Sequence, residues 1–343
     1  MAHRILWASF ALTPAAILGR FVFDLDETTL FVLAALALIP LAWIIGEATD
    51  QAAEYTGPGV GGFLNASFGN APELIIALFA VADNLPGVVR GSLTGSVVSN
   101  ILLVLGAAMI AGGDGRLDAR SLRWQLFAVF GAVAFIALPS AISWNGGSHE
   151  RHSLYLLSIP VSVVLLIGYL VVTIRNLRIH RATERGEPSP EVWPLPVSIA
   201  VLAVATVATA FVSEILVHSL DHFGKAVGLD EFFIAVVIVA IVGNAAEHGG
   251  AVVIARRGNT TLATEIAITS SMQVAVFVTP AVCLLSWLAG RGLPLSFRAV
   301  EVVTMAAAAA FAAWVVWDGR SRRWEGFVLI GAYVLMVVAY YLS

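Results

Sequence analysis

The sequence predicts an all-α polytopic membrane protein with about eleven transmembrane helices. Of its 343 residues, 59% are apolar and 12% are charged, which is about half the charged fraction of a soluble domain. Its apolar stretches reach or exceed the ~20 residues that a helix needs to cross a bilayer. Strands are excluded because open strands leave backbone groups unpaired in lipid, and these stretches are too long for barrel strands.

Eleven apolar stretches, bounded by charged or turn-forming residues, are the candidate spans. They lie at 4–22, 28–46, 59–81, 91–112, 122–143, 152–174, 194–218, 231–254, 260–288, 296–317 and 324–342. We interpret the first as a transmembrane helix rather than a signal peptide, because Arg20 and Phe21 stand at its end, where a small-residue cleavage site would be expected. The net charge of −4 gives no indication of a nucleic-acid partner, and the single cysteine, Cys283, excludes an intrachain disulfide.

The basic residues predict the orientation of the chain. With the N-terminus on side one, the connections on that side hold thirteen Lys and Arg residues, and those on side two hold six. The thirteen are Arg4, Arg116, Arg120, Arg123, Arg175, Arg178, Arg181, Arg185, Arg256, Arg257, Arg320, Arg322 and Arg323. This excess predicts a multi-pass protein of the cell (inner) membrane with a cytoplasmic N-terminus and an external C-terminus.

Features of the early spans recur, in order, in the late ones. Gly69-Asn70-Ala71-Pro72-Glu73 in span 3 matches Gly243-Asn244-Ala245-Ala246-Glu247 in span 8, and 95-GSVVSN-100 in span 4 matches 269-TSSMQ-273 in span 9. Each copy holds five spans, an odd number, so the two copies cross the membrane in opposite senses. Such inverted repeats are typical of secondary transporters, whose binding site lies where the copies meet.

The repeat divides the chain into four parts. Residues 1–24 form an N-terminal transmembrane helix outside the repeats, and 25–174 form the first five-helix repeat. Residues 175–193, rich in Arg, Glu, Pro and Gly, are predicted to be a cytoplasmic linker. Residues 194–343 form the second five-helix repeat.

Two carboxylates at membrane depth, Glu73 and Glu247, are the strongest functional indication. Such a charge costs about 2.5–3.5 kcal/mol on insertion scales and therefore needs a partner or a function. The sequence places no Lys or Arg at the membrane depth predicted for these two glutamates. Pro72 also frees a backbone carbonyl one turn earlier. The alternative interpretation is a buried structural hydrogen bond.

Oxygen-bearing side chains accompany the two glutamates. They are Asn70, Asn244, Ser96, Ser270 and Gln273. An oxygen-only shell of this kind suits a hard divalent cation, and Ca²⁺ accepts six to eight oxygens in irregular geometry. The alternatives for these residues are close helix packing at the Gly-Asn pairs and hydrogen bonds from the serines to their own helix.

Two glutamates balance the charge of one divalent cation. When the cation leaves, two neighbouring carboxylates in a low dielectric repel each other and take up protons. The residues therefore predict a proton-coupled cation antiporter. His248, Glu47 and Glu214 are candidates for additional proton coupling, although a packed histidine and solvated helix ends explain them equally well.

The paired motifs at 69–74 and 243–248, with the flanks 95-GSVVSNILLVLG-106 and 270-SSMQVAVFVTP-280, resemble the cation/proton exchanger (CAX) family of the Ca²⁺/cation antiporter superfamily. The resemblance implies a bacterial-type Ca²⁺/H⁺ antiporter that exports Ca²⁺ from the cytoplasm, with Glu73 and Glu247 as central ligands and Ca²⁺ as the transported ion. It also implies that helices 2 and 7 slide to alternate access, and His248 is typical of the proton-coupled branch.

Three residues depart from the family pattern. Pro72 stands where Thr or Val is commoner, Thr269 stands where Gly is usual, and Glu265 adds an intramembrane charge. A sodium-coupled or Mn²⁺-preferring exchanger therefore stays open as an alternative, and a cation channel is a more distant one. The motifs of intramembrane zinc and serine proteases are absent from the sequence, so no enzyme and no cofactor are predicted. The sequence leaves open whether the protein forms a homo-oligomer.

Overall fold

The computed structural model describes residues 9–144, 151–180 and 192–342. The described part is helical apart from short connections and one small sheet, which confirms the predicted fold class. The first half holds α1 (Leu12–Phe21), α2 (Glu27–Phe68), α3 (Ala71–Ala82), α4 (Pro86–Gly112), α5 (Ala119–Trp144) and α6 (Arg151–His180). The second half holds α7 (Leu195–Val227), α8 (Glu231–Gly243), α9 (Ala245–Arg256), α10 (Thr260–Leu288), α11 (Ala299–Val315) and α12 (Arg323–Tyr341).

Three helices contain a widened π-helical turn, and two short strands pair between the connections. The π-helical turns are Ser99–Val104 in α4, Ala235–Val239 in α8 and Val274–Val278 in α10. A 3₁₀ turn, Val316–Asp318, follows α11. The antiparallel strands are β1 (Gly115–Arg116) and β2 (Arg320–Ser321), with Gly115 opposite Ser321.

Multiple membrane spans are confirmed, but the number eleven is not. Among the described residues, eight helices are long and apolar enough to cross a membrane. The pair α8 and α9, bent by 56°, makes nine if it counts as one span, and α3 is a shorter apolar helix. Residues 4–8 of the first predicted span and residues 181–191 of the predicted linker lie outside the described residues.

The boundary between predicted spans 2 and 3 differs from the structure. The sequence places span ends at 46 and 59, whereas α2 runs without interruption for 42 residues from Glu27 to Phe68. The intervening segment is polar but contains two Glu, three Ala and one Gln, which are good helix formers. The helix therefore continues beyond the apolar stretch.

The two copies of the repeated motif break their helices in the same way. Asn70, between α2 and α3, has φ −94° and ψ 15°, and Asn244, between α8 and α9, has φ −93° and ψ 15°. Pro72 lies in the first turn of α3, where its missing N–H costs no helical hydrogen bond. Each break therefore directs the N-terminus of a half-helix into the bundle.

Helix α4 crosses the centre of the bundle and touches the backbone of α8. A Cβ atom placed on Gly95 would lie 2.1 Å from the carbonyl oxygen of Val236, and one on Gly91 would lie 2.9 Å from that of Phe232. Only glycine allows this approach. The contact holds α4 against the π-helical turn of α8, just before the break at Asn244.

Replacing Gly95 by alanine is therefore expected to destabilise the protein. The Cβ would meet a backbone carbonyl that cannot rotate away, and overpacking of this kind costs about 1–3 kcal/mol. We expect the detergent-solubilised Gly95→Ala variant to unfold at a lower temperature than the wild type. Gly131→Ala in α5 is the matched control, because no described atom lies within 4 Å of a Cβ there. Equal unfolding temperatures for the two variants would contradict the close approach.

Two connections are tied to the opposite half of the chain. The connection from α4 to α5 pairs through β1 with β2, its Gly113 carbonyl accepts from Ser321 Oγ at 3.0 Å, and its Asp114 side chain accepts from Arg323 N at 3.0 Å. The connection from α10 to α11 is bound to α5 and α6, because Ser140 Oγ donates to the Leu295 carbonyl at 2.8 Å and Leu295 N donates to Ser158 Oγ at 3.0 Å. We call these two connections the crossed loops.

Candidate functional site

The two predicted glutamates take equivalent positions, each in the first turn after a helix break. Glu73 lies in the first turn of α3 and Glu247 in the first turn of α9. A Cβ atom placed on Gly243 would lie 3.6 Å from Cγ and 3.8 Å from Oε1 of Glu73, so the carboxylate from the first half occupies the helix break of the second. The two carboxylates are close enough to interact electrostatically.

The carboxylate of Glu73 lacks protein partners within the described part of the chain. Both Oε1 and Oε2 are buried and accept no hydrogen bond there, and the residue is 5% exposed. An unpaired buried carboxylate is strongly unfavourable unless it is protonated or binds a cation. The geometry at Glu73 therefore suits both a proton and a positively charged ion.

The predicted amide and hydroxyl residues lie in the same region and bond across the two halves. Asn70 Nδ2 donates to Gln273 Oε1 at 2.9 Å. Asn244 Nδ2 donates to Ser96 Oγ at 2.8 Å and also to the carbonyl oxygen of Ala240, one turn earlier, at 2.7 Å. All of these side chains except that of Gln273, which is half-buried, are buried. The structure thus brings together ligand candidates that are far apart in sequence.

Asn100 is a member of this cluster that the sequence analysis did not identify. It lies in the π-helical turn of α4 and is fully buried. Its Nδ2 donates to Asn244 Oδ1 at 3.0 Å and to Ser270 Oγ at 2.9 Å, and its Oδ1 lies 3.1 Å from His248 Nε2. The available indication was its spacing, since Ser96 and Asn100 are four residues apart and share one face of the helix.

Other predicted candidates lie elsewhere. Glu47 is half-buried on α2, where it accepts a hydrogen bond from Gln51 at 2.9 Å, and Glu214 is exposed on α7. Thr269 donates to Gln125 of α5 at 2.7 Å, and Glu265 is half-buried in α10. Within the described residues, no hydrogen bond or ion pair of Glu47, Glu214 or Glu265 reaches the cluster. Their predicted roles in proton coupling or ion preference stay predictions.

The residues around the site differ in burial. Glu247 and His248 are half-buried and the adjacent Gly249 is exposed. Along α3, Ile76 and Ala80 are buried, whereas Leu74 and Ile75 are half-buried. The described residues contain no group of three or more His, Cys, Asp or Glu side chains that could hold a metal ion, so any cation bound here relies on amide and hydroxyl oxygens in addition to the carboxylates.

Comparisons with known proteins show the family to which the chain belongs. Two parts of the chain, residues 27–178 and 197–342, match the family described as sodium/calcium exchanger protein. A Ca²⁺/H⁺ antiporter of Aphanothece halophytica is 34% identical, covering 99% of this chain and 96% of the relative. The Ca²⁺/H⁺ antiporter ChaA of Bacillus subtilis (strain 168) is 36% identical, covering 96% of each chain.

Solved structures show the same architecture. Native YfkE has a TM-score of 0.85 and 32% sequence identity, covering 99% of this chain and 100% of that protein. The H⁺/Ca²⁺ exchanger CAX has a TM-score of 0.74, covering 99% of this chain and 92% of that one. With 16% identity, the second comparison shows a shared fold only.

Proposed function

Because this chain belongs to the sodium/calcium exchanger family, in its cation/proton exchanger branch, we propose that it exchanges Ca²⁺ for H⁺ by alternating access at the site formed by Glu73 and Glu247. The relatives that it matches over nearly their whole length are transporters, with Ca²⁺/H⁺ antiporters among them. The main support for this proposal is the position of the Glu73 carboxylate. It is buried beside the helix break of the second half and has no hydrogen-bond partner in the described part of the chain.

Charge balance gives the exchange its physical basis. With Ca²⁺ bound, the two carboxylates neutralise the ion, and the oxygens of Asn70, Gln273 and Ser96 are at hand to complete its shell. Without Ca²⁺, two carboxylates in this buried site are unfavourable unless protons replace the ion. Either occupant stabilises the site, and the empty charged state is avoided. Transport of one is thereby coupled to return of the other.

We propose that the direction is export from the cytoplasm. Glu247 and His248, at the start of α9, are half-buried. That helix ends at Arg256, and Arg257 follows it, where the distribution of basic residues predicts the cytoplasm. Glu247 would then load Ca²⁺ from inside the cell, and an inward-directed proton gradient would drive the ion out. The cell membrane is the proposed location, with the N-terminus in the cytoplasm.

Uptake of ⁴⁵Ca²⁺ into proteoliposomes tests the proposed function. We expect a pH gradient, acidic inside, to drive accumulation, and we expect an equal sodium gradient to have no effect. Accumulation driven by a sodium gradient would favour a sodium-coupled exchanger. Preference for Mn²⁺ in a panel of divalent ions would favour a Mn²⁺-preferring exchanger. A channel would pass Ca²⁺ down its own gradient without moving protons.

The apparent affinity for Ca²⁺ is expected to depend on pH on the loading side. Protons and Ca²⁺ compete for the same carboxylate oxygens, so the ligands must be deprotonated before the ion binds. Acidification should therefore raise the apparent KM for Ca²⁺, with a slope that approaches two protons per ion, and should lower the maximal rate much less. The measurement is initial ⁴⁵Ca²⁺ uptake against Ca²⁺ concentration at several external pH values. An apparent KM that is constant with pH would contradict competition at the carboxylates.

A further inference from the structure

The orientation of the Asn244 and Asn100 amides follows from one backbone carbonyl. The Ala240 carbonyl oxygen can only accept a hydrogen bond, so the group that faces it at 2.7 Å must be Nδ2 of Asn244. The other hydrogen of that Nδ2 goes to Ser96 Oγ. Oδ1 of Asn244 is therefore turned toward Asn100, which must present its own Nδ2 to it.

The same reasoning extends to the histidine. The two Nδ2 hydrogens of Asn100 are used by Asn244 Oδ1 and Ser270 Oγ. Its Oδ1 consequently faces His248 Nε2 at 3.1 Å, and because that oxygen can only accept, Nε2 must carry a hydrogen. A continuous chain of hydrogen bonds thus runs from the Ala240 carbonyl through Asn244 and Asn100 to the imidazole of His248.

Asn100 joins three helices at the middle of this chain. It lies on α4 and bonds to Asn244 and His248 at the start of α9 and to Ser270 of α10. The repeat places Val274, which is fully buried and apolar, at the corresponding position of the second half. The polar cluster is therefore asymmetric: Asn244 is held by Asn100, whereas Asn70 bonds to Gln273.

We propose that Asn100 is a positioning residue for transport, which orients Asn244 and Ser270 and keeps the hydrogen of His248 on Nε2. This inference rests on the proposed function of the same site. The amide group of Asn100 is directed at Asn244, Ser270 and His248. Asn100 therefore acts on the ion indirectly, through Asn244 and Ser270. The carboxylate oxygens of Glu73, which have no described partner, stay available to the ion.

The test is Ca²⁺ uptake by an Asn100→Val variant, which makes the position match that of the second half. Losing both donated hydrogen bonds should raise the apparent KM for Ca²⁺ about tenfold, because each typical bond contributes modestly. The maximal rate should fall by less than about threefold, since the carboxylates are unchanged. An unchanged KM would overturn the proposal. Ser99→Ala is the matched control: Ser99 is a buried neighbour in the same π-helical turn, its hydroxyl bonds only to its own helix, and it should behave as wild type.

A double variant separates positioning from direct contact with the ion. If Asn100 acts through Ser270 and Asn244, Asn100→Val combined with Ser270→Ala should resemble Asn100→Val alone. Multiplied effects on KM would show that Asn100 acts independently, and they would overturn the proposal. If Asn100→Val fails to insert, Asn100→Ser, whose short hydroxyl cannot reach both partners, should give the same rise in KM. Wild-type protein in the same vesicles separates a failure of the Asn100 proposal from a failure of the proposed function. If the wild type shows no pH-driven Ca²⁺ uptake, the proposed function itself is refuted.

Discussion

Glu73→Gln and Glu247→Gln are each expected to abolish pH-driven Ca²⁺ uptake while the protein still inserts and folds. A glutamine keeps the size and one oxygen of the side chain but supplies neither the negative charge that balances Ca²⁺ nor a site for a returning proton. Uptake should fall to that of empty vesicles. Because Glu73 is buried without a described partner, its neutral replacement should leave the thermal stability of the Ca²⁺-free protein unchanged or higher.

Two further measurements sharpen this result. Wild-type protein should be stabilised against heat by Ca²⁺, because a ligand that binds only the folded state shifts unfolding, and both variants should lose this effect. Glu265→Gln is the matched control, since it removes another half-buried glutamate of the transmembrane helices that has no described bond to the cluster. Normal exchange by either Glu73→Gln or Glu247→Gln would refute the ligand assignment.

Gly243→Val is expected to remove transport by filling the space of the ion rather than by removing a charge. The side chain of Glu73 lies against this glycine. A Cβ atom added to Gly243 would be 3.6 Å from Cγ of Glu73. The methyl groups of valine would extend beyond that Cβ toward the carboxylate. We therefore expect loss of Ca²⁺-dependent thermal stabilisation and at least a tenfold loss of uptake, comparable to the loss of a ligand contact.

The control for this variant is Gly131→Val in α5, where no described atom lies within 4 Å of a Cβ. It adds the same β-branched side chain to a helix of the same bundle, so it reports the intrinsic cost of valine in a helix. Wild-type uptake in Gly131→Val together with inactive Gly243→Val would attribute the effect to the site. Full uptake in Gly243→Val would mean that the ion does not occupy the space beside Glu73.

The repeated motif made much of this architecture predictable. Glu73 and Glu247 stand out because charge at membrane depth is costly, and the order of the matching motifs indicates inverted halves. The backbone at Asn70 and Asn244 then repeats within about one degree. Helix ends were less predictable, because the segment after residue 46 is polar enough to end an apolar stretch yet favours a helix, so α2 continues to Phe68.

The contacts of Asn100 could not be predicted from the sequence pattern. Its importance comes from partners 144 and 170 residues away, Asn244 and Ser270, and one buried amide in an apolar run does not indicate which helices will surround it. Thr269 is a similar case, since its hydroxyl turns to Gln125 of α5. Neighbours across helices, rather than residue type, decide these roles.

The crossed loops carry a consequence for biogenesis. Gly113 receives its hydrogen bond from Ser321, 208 residues later, so the ribosome must deliver nearly the entire polypeptide before this tie can form. Until then, the connection from α4 to α5 lacks its bonds to β2, although Thr261 can already donate to the Arg116 carbonyl at 3.0 Å. Truncated or stalled products would therefore present an unfinished surface that membrane proteases can recognise, and only full-length chains would escape degradation.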